Sequence, residues 1–361
     1  MTPFAPSAAA SVGDDPASPS RFLLIRLSAL GDVVNTLPTL SLLRRARPHA
    51  TIGFVVEDRT SELLVGHPMV DRVHVFPRRR LREQMRRPSE WAHLKDELQA
   101  HAEEIRDGHY DVAIDVQGNL KGGLHSFFSG ARRRIGFARG YDYEGNHWLS
   151  TEQVTPRPQR LHRVDKFASL LRPLGIEGTE REWVFPPTPP EARERVASFL
   201  QARGLAAGEI VVVHPGTSGH GAEKRWPADR FGELARRIDA ELERRVVVTW
   251  GPGEEELARA VCGDSKGRVI AGPPTHSLLE LLELLRAARL FVSADTGPMH
   301  LAAATGVSCV ALFGPKDPVV YAPYGTGHTV IHRPDEPGRP GMQRITVDEV
   351  VAAASEQLGR A

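Results

Sequence analysis

Short apolar runs rich in β-branched residues alternate with longer helical patterns through both halves of the chain, and no other feature limits the fold as strongly. In the first half, the runs that predict strands lie at residues 22–27, 51–56, 72–76 and 111–116. Helical patterns separate them at residues 33–46, near 60–65 and at 90–107. Such alternation indicates βαβ units, in which helices cover both faces of a parallel sheet.

The second half repeats this scheme. Its predicted strands are nearly continuous apolar runs, as buried parallel strands should be, at residues 210–214, 245–250, 290–293 and 308–313. Its predicted helices lie at residues 228–243, 253–262, 277–288 and 298–305. The predicted fold is therefore α/β, with two Rossmann-like domains whose parallel sheets face a central cleft.

The domain prediction places the first domain at residues 21–175 and the second at 176–345, with a Pro/Gly-rich connection around 172–190. Residues 1–20 are rich in Ala, Ser and Pro, and we expect a disordered tail there. Residues 346–361 are expected to form a C-terminal helix that packs back on the first domain.

The charge of the chain is balanced overall but divided unevenly. Lys and Arg (46) nearly cancel Asp and Glu (45), which argues against a protein that holds nucleic acid through its overall charge. Residues 1–175 carry 25 basic and 20 acidic side chains, and the remainder carries 21 and 25. Residues 72–87 contain seven arginines and one acid, which indicates a solvated helix face or an anion-receiving surface.

Several classes of protein are disfavoured by what the sequence lacks. Cys262 and Cys309 are too few for a disulfide framework. No apolar run approaches the roughly 20 residues that span a bilayer. The first twenty residues have neither the basic nor the apolar segment of a secretory signal. We therefore expect a cytoplasmic protein.

Ligands of such sheets bind beyond the carboxyl ends of the strands, so the loops that follow the strands should hold the functional residues. The first loop, residues 28–32, ends in Asp32. This residue is interpreted either as the N-cap of the next helix or as a general base that deprotonates a hydroxyl. The loop lacks a GxGxxG fingerprint, which disfavours a nicotinamide-dependent oxidoreductase.

Three loops of the second half contain candidate ligand-binding residues. Thr217 and Ser218 follow one strand, and Lys224 adds a charge suited to a phosphate oxygen, although an ordinary surface loop would explain them equally. Acids at 254–256 either complement a helix dipole or receive ribose hydroxyls. Residues 295–300 (DTGPMH) mark a helix N-terminus that suits a phosphate, where His300 is a ligand or a packing residue.

The segments RLSALGDVVNTLPTL, HPGTS with EKRWP, WGPGEEE and SADTGPMHLAAATGVSCVALFGPKDP occur in this order and resemble glycosyltransferase family 9, the ADP-heptose:lipopolysaccharide heptosyltransferases. The resemblance covers about residues 21–345 and is greatest to heptosyltransferase I. It implies a GT-B fold and an inverting, metal-independent transfer of heptose from ADP-heptose to the Kdo of a lipopolysaccharide inner-core acceptor. The alternatives are a different sugar donor or acceptor, or a nucleotide-sugar epimerase.

The resemblance also assigns roles to residues. Asp32 matches the catalytic base, and Lys224 matches the lysine that holds the diphosphate of the leaving ADP. The implied donor-binding residues are Thr217, Ser218, Gly251, Glu254, Asp295, Thr296, Gly297 and His300. The implied acceptor-binding residues are Arg78, Arg79, Arg80, Gln117 and Lys121.

The implied partners are an ADP-sugar, an anionic glycolipid similar to Kdo-lipid A, and the inner face of the cytoplasmic membrane as a peripheral contact. No nucleic acid, cofactor or metal is implied, since the ADP-sugar is itself a substrate. A polyanionic acceptor fits the basic excess of the first half of the chain.

Overall fold

The computed structural model describes residues 19–359 except positions 218, 264 and 266, and it describes only the backbone at residues 88, 219, 220 and 222. The predicted tail at residues 1–20 therefore lies outside the described residues, apart from its last two positions.

Two six-stranded parallel sheets form the framework of the protein. The first sheet contains β1 (Arg21–Ile25), β2 (Thr51–Glu57), β3 (Arg72–Phe76), β4 (Val112–Asp115), β5 (Arg133–Phe137) and β6 (Glu152–Val154). The second contains β7 (Ile210–His214), β8 (Val246–Val248), β9 (Val269–Ala271), β10 (Ala288–Ala294), β11 (Ser308–Phe313) and β12 (Thr329–His332).

Both sheets have the Rossmann strand order, in which the first and fourth strands are central neighbours. The spatial order is β3-β2-β1-β4-β5-β6 in the first sheet and β12-β11-β10-β7-β8-β9 in the second. The order of the chain reverses between β1 and β4 and again between β7 and β10, and these two switch points are where such sheets bind ligands. The prediction of two Rossmann-like domains is confirmed.

Helices connect the strands and cover the sheets. In the first half they are α1 (Leu30–Ala46), α2 (Arg78–Met85), α3 (Trp91–Arg106), α4 (Leu120–Phe128) and α5 (Arg163–Ala168). In the second half they are α6 (Pro190–Ala202), α7 (Ala228–Glu241), α8 (Glu255–Cys262), α9 (Leu278–Arg286), α10 (Gly297–Ala304), α11 (Pro318–Tyr321), α12 (Gly341–Arg344) and α13 (Val347–Gly359). None of the helices in the described ranges is both long and apolar enough to cross a bilayer.

Four strands were not predicted from the sequence, namely β5, β6, β9 and β12. Each has three to five residues, and three of them form edges of the sheets. Runs this short, with sequences such as RRIGF and EQV, contain too few apolar positions for a clear period.

The largest group of buried apolar side chains continues from one domain into the other. It includes Leu24 and Leu37 of the first domain together with Phe291, Met299 and Leu301 of the second. Two smaller clusters fill the outer faces of the two sheets. The domains therefore share one interior on the side where they meet.

Two glycines let the N-termini of α1 and α10 meet at this junction. A Cβ atom on Gly31 would lie 2.4 Å from the ring of His300, and one on Gly297 would lie 2.9 Å from Leu30. Contacts of this length are impossible for any residue with a side chain unless the neighbour moves. The loops that follow β1 and β10 are thus held against each other.

The C-terminal helix packs on the second domain, and the expectation that it crosses back to the first domain is wrong. Val350 and Ala354 of α13 belong to the apolar cluster on the outer face of the second sheet. Gln357 donates from Nε2 to Thr329 Oγ1 of β12 over 2.7 Å. The apolar face of α13 is therefore already satisfied by α7 and the second sheet.

Candidate active site

Asp32 lies in the first turn of α1, where two arginines hold its carboxylate. The N-cap position belongs to Ala29, so the N-cap interpretation of Asp32 is excluded. One carboxylate oxygen of Asp32 pairs with Arg26 and the other pairs with Arg163. The switch point of the first sheet thus presents a carboxylate between two guanidinium groups.

Arg26 is a buried cation, with only 5% of its surface exposed. Its Nη1 donates to the carbonyl of Val116 over 3.0 Å, and its guanidinium lies 5.1 Å from the centroid of the Phe167 ring. Burial, together with the charge of Arg163, lowers the pKa of Arg26 to about 9. A charge in such a position depends on its counter-ions, and here Asp32 pairs with it directly while the nearby Asp115 opposes the lowering of its pKa.

Arg163 reaches Asp32 from α5 and also contacts the second domain. Its guanidinium lies 4.5 Å from the centroid of the Tyr321 ring, and its Nη2 donates to the Tyr321 hydroxyl over 3.3 Å. Nearby, Arg160 pairs with Asp317 at 2.6 Å. Because Tyr321 belongs to α11 and Asp317 is the N-cap of that helix, Arg163 and Arg160 link the two domains.

Sequence reasoning missed both of these arginines. Arg26 had left a signal, since it is the charged residue within the apolar run at 22–27. Arg163 left none, because it lies 131 residues from Asp32 along the chain and meets it only through the tertiary fold.

On the second domain, Lys224 and the N-terminus of α10 provide positive charge. Lys224 Nζ lies 2.6 Å from Asp295 Oδ2, and both side chains are mostly buried. Thr296 occupies the N-cap position of α10 without capping it through its side chain, and Gly297 follows as the first helical residue. The N–H groups of this turn and the positive end of the helix dipole suit a phosphate.

His300 connects the two switch points. Its Nδ1 lies 3.4 Å from Asn35 Nδ2 of α1, and its Nε2 lies 3.9 Å from Asp295 Oδ1. Burial, reinforced by nearby cations that include Arg163, lowers the pKa of His300 to about 3. The imidazole is therefore neutral at physiological pH. Its ring packs directly against Gly31, and this contact helps to fix where the ring lies.

The loop after β8 directs Glu254 toward the loop after β7. Glu254 Oε2 accepts from the N–H of Gly251 over 3.0 Å. A Cβ atom on Gly216 would lie 2.0 Å from the same oxygen, so the carboxylate lies over that glycine. Glu255 instead pairs with Arg259 on the helix surface. Glu256 is exposed, so among the three predicted acids Glu254 is the one that reaches the loop after β7.

Thr217 belongs to the loop that Glu254 approaches. Its Oγ1 accepts from Arg225 Nε over 3.3 Å, and its carbonyl accepts from Arg225 Nη2 over 3.2 Å. Ser218, the other predicted donor-binding residue of this loop, lies outside the described residues.

Two of the predicted acceptor-binding residues meet at a buried acid of the first domain. Glu57 ends β2, and both Lys121 and Arg78 pair with its Oε1, with Arg78 at 3.3 Å. The backbone N–H of Glu57 donates to the carbonyl of Leu27, so this group borders the loop that leads to Asp32. Arg78 and Lys121 therefore lie beside the loop that leads to the candidate base.

The other predicted acceptor residues have different surroundings. Gln117 Oε1 accepts from the N–H of Leu27 over 3.1 Å, so this side chain fixes the loop after β1. The side chain of Arg79 is exposed, whereas Arg80 pairs with Glu97 of α3 at 2.5 Å. Arg80 is thereby directed toward α3 and away from Glu57.

Asp115, at the end of β4, is a second buried carboxyl near the candidate base. It accepts from Asn146 Nδ2 over 2.6 Å and from the N–H of Gly118 over 3.1 Å. Burial raises the pKa of Asp115 to about 6 despite these bonds. Its bonds hold the Gln117–Lys121 turn in place. Across the described residues, no three His, Cys, Asp or Glu side chains converge as metal ligands would.

Two Rossmann-like domains whose switch points face one another across a cleft define the GT-B class of glycosyltransferases, which use nucleotide sugars. The comparisons with known proteins identify the class more closely. The model of glycosyltransferase family 9 (heptosyltransferase) matches residues 98–348. Lipopolysaccharide heptosyltransferase 1 of Pseudomonas aeruginosa is 31% identical over 319 residues, which cover 84% of this chain and 81% of that protein.

Structures of relatives agree with this result. The glycosyltransferase family 9 protein of Veillonella parvula superposes with a TM-score of 0.79 at 24% identity, covering 95% of this chain and 98% of its own. The E. coli heptosyltransferase WaaC with ADP gives a TM-score of 0.75 at 26% identity, covering 93% and 99%. The chain belongs to glycosyltransferase family 9, and within it the chain is similar to the lipopolysaccharide heptosyltransferases 1.

Proposed function

We propose that this protein transfers heptose from ADP-heptose to the Kdo of a lipopolysaccharide inner-core acceptor. The observation that carries the proposal is the meeting of the two switch points. Asp32 follows Gly31, which touches His300, and His300 Nε2 lies 3.9 Å from Asp295 beside Lys224. A base on one domain and an anion-binding group on the other are what transfer from a nucleotide sugar to a hydroxyl requires.

The donor would bind the second domain. The diphosphate of ADP suits the N-terminus of α10 and Lys224, with Thr217 and Ser218 as further contacts. Glu254 is suited to the ribose hydroxyls, since its carboxylate lies over Gly216 beside Gly251. Asp295 would then contact the sugar that is transferred.

The transfer would proceed as one inverting displacement. Asp32 takes the proton of the acceptor hydroxyl while that oxygen bonds to the anomeric carbon. The bond from this carbon to the diphosphate breaks, and its electron pair leaves with ADP. Lys224 and the α10 N-terminus stabilise the charge that develops on the diphosphate, so we propose that no metal ion takes part.

In the structure, both carboxylate oxygens of Asp32 are paired with arginines, so the base is not yet free to accept a proton. Arg26 and Arg163 occupy its two carboxylate oxygens, so one of them must yield before the hydroxyl can approach. Arg163 is the candidate to move, because its side chain is about one quarter exposed whereas that of Arg26 is buried. The acceptor's own carboxylate is a suitable new partner for the guanidinium that yields.

The acceptor would bind the first domain, where Arg78 and Lys121 flank the loop of Asp32. Arg79 adds an exposed guanidinium, which suits the phosphates and carboxylate of a Kdo-lipid A-like glycolipid. Because this acceptor is anchored in lipid, we place the protein in the cytoplasm as a peripheral protein of the inner membrane face.

The test combines donor binding with turnover. Thermal shifts measured with ADP-, UDP- and GDP-sugars should show selective stabilisation by the ADP-sugar, and a preference for UDP would refute the donor assignment. Transfer to a Kdo-bearing acceptor should persist in EDTA and disappear in Asp32→Asn. Incubation with donor alone should leave the sugar unchanged, whereas isomerisation without acceptor would identify a nucleotide-sugar epimerase.

A further inference from the structure

Helix α4 carries an exposed apolar stripe on the acceptor-binding domain. Leu120, Leu124, Phe127 and Phe128 recur at the spacing of one helix face, and each leaves between 38% and 50% of its surface exposed. The opposite side of the helix packs inward, since His125 and Ser126 are buried. The stripe is therefore a solvent-facing surface of a helix that is otherwise well packed.

Two further aromatic residues extend this stripe from the neighbouring loop. Tyr143 and Trp148 are the most exposed large apolar residues of the described chain, at 65% and 81%. The N–H of Tyr143 donates to the carbonyl of Gly118 over 2.8 Å, which fixes the loop beside the start of α4. The ring of Trp148 lies over Gly145, where a Cβ atom would come within 2.9 Å of it.

Arg134 joins the two parts into one surface. Its guanidinium lies 5.6 Å from the centroid of the Phe127 ring, and its Nε donates to the carbonyl of Leu149 over 2.8 Å. Phe127 and Phe128 also touch edge to face at 5.6 Å. We call this surface the aromatic face, and it consists of Leu120, Leu124, Phe127, Phe128, Tyr143 and Trp148.

The charge beside the aromatic face indicates what covers it. Lys121 of α4 and Arg78 of α2 meet at Glu57, so the arginine-rich helix α2 adjoins α4 at this point. The arginines of α2 and the turn after it are all exposed, namely Arg78, Arg79, Arg80, Arg82, Arg86 and Arg87. Arg78, Arg80 and Arg87 pair with acids, and the described residues hold no ion pair for the other three, so the row keeps an excess of positive charge. Aromatic side chains next to a row of arginines complement the interface of an anionic bilayer, where rings lie at headgroup level and guanidiniums meet phosphates.

The geometry points to the aromatic face as the surface that docks this protein on an anionic membrane. This inference rests on the proposed function in one respect, since a lipid-linked acceptor is the reason why the protein would bind a membrane. The face begins three residues after Gln117, which holds the loop of Asp32. A sugar that projects from the bilayer would thereby reach the base while its lipid stays in the membrane.

Vesicle flotation tests the surface without any turnover. Full-length protein should bind phosphatidylcholine vesicles containing phosphatidylglycerol and bind pure phosphatidylcholine vesicles much less. The double variant Phe127→Glu/Phe128→Glu and the single variant Trp148→Glu should each lower the vesicle partition coefficient at least about tenfold. Val65→Glu is the matched control, because Val65 is an exposed apolar residue of the same domain outside the face, and it should bind as the wild type does.

The remaining readouts separate this inference from the proposed function. Trp148→Glu should keep the wild-type thermal midpoint, because 81% of this side chain is exposed. The double variant should unfold at a somewhat lower temperature, since about half of each phenylalanine is buried, but both variants should keep their stabilisation by ADP. With a lipid-free acceptor the variants should turn over normally, whereas with vesicle-embedded acceptor they should slow at least about tenfold. Unchanged vesicle binding would overturn the docking surface whatever the enzymatic result. A change from dimer to monomer in the double variant, with no vesicle binding by wild type, would assign the face to a second copy of the chain.

Discussion

Replacing Asp32 by alanine should destabilise the protein as well as inactivate it. The change leaves Arg26 and Arg163 facing each other without their shared counter-ion, and Arg26 is 5% exposed. Removing one partner of a buried ion pair costs about 3–5 kcal/mol. The lower end of this range applies, because Arg163 can turn toward solvent. At about 2.1 cal/mol/K of unfolding entropy per residue, it corresponds to a fall of roughly 4 °C in the melting temperature Tm of a chain this long.

A double-mutant cycle separates the charge effect from other losses. Asp32→Ala/Arg163→Gln removes one of the two facing cations, so it should recover about 1 kcal/mol or more of the stability lost in Asp32→Ala. Thermal unfolding by calorimetry and urea unfolding would measure both variants against wild type. Asp348→Ala serves as control, because its carboxylate pairs with Arg237 at 2.5 Å on an open surface, and its removal should leave Tm unchanged.

Activity must be assayed well below the Tm of each variant, so that unfolding is not read as loss of catalysis. Under those conditions Asp32→Ala should retain ADP binding and lose transfer. A Tm within about 1 °C of wild type for Asp32→Ala would refute the reasoning, since it would mean that the buried guanidinium does not depend on this carboxylate.

Three further predictions concern the junction, the donor site and acid stability. Gly31→Ala places a Cβ atom 2.4 Å from the His300 ring, so it should lower the free energy of unfolding by about 1–3 kcal/mol and lower kcat with little effect on ADP affinity. The control Gly327→Ala, whose Cβ atom would meet nothing within 4 Å, should change neither stability nor turnover. Lys224→Gln should lower kcat/KM about 10²–10³-fold in a transfer assay, and equal turnover by Lys224→Gln and the control Lys95→Gln would contradict its role. Burial lowers the pKa of His125 and of His214 to about 4. Below pH 6.5 the unfolded chain therefore binds more protons than the folded one, and each histidine should lower the free energy of unfolding by about 2 kcal/mol by pH 5. A urea midpoint that stays constant from pH 7.5 to 5 would contradict this prediction.

The sheet framework could be predicted because the central strands are buried on both faces. Predicted runs at 210–214 and 308–313 coincide with β7 and β11, whose side chains are almost entirely buried. Such strands must be apolar throughout, which makes them visible in the sequence. Short edge strands such as β6 and β9 escape because one neighbour is missing and few positions need to be apolar.

The candidate site could be predicted only where it is local. Ligands bind beyond the carboxyl ends of parallel strands, and this principle located Asp32, Asp295 and the start of α10, which all follow strands directly. The pairing of Asp32 with Arg163 depends on how α5 packs against α1, which no local pattern encodes. The same limit explains the error on the C-terminal helix, since an apolar face predicts burial but not the partner that buries it.

The apolar cluster that continues through both domains has a consequence for how the chain unfolds. Leu37 of α1 and Met299 of α10 belong to one buried group, so neither domain can lose its structure without exposing apolar surface of the other. A single calorimetric transition is expected, in place of the two that independent domains would give. A chain cut between residues 176 and 189 should yield two fragments that are poorly soluble alone and associate when mixed. The junction between the domains would then determine the cooperativity of unfolding as well as the alignment of the substrates.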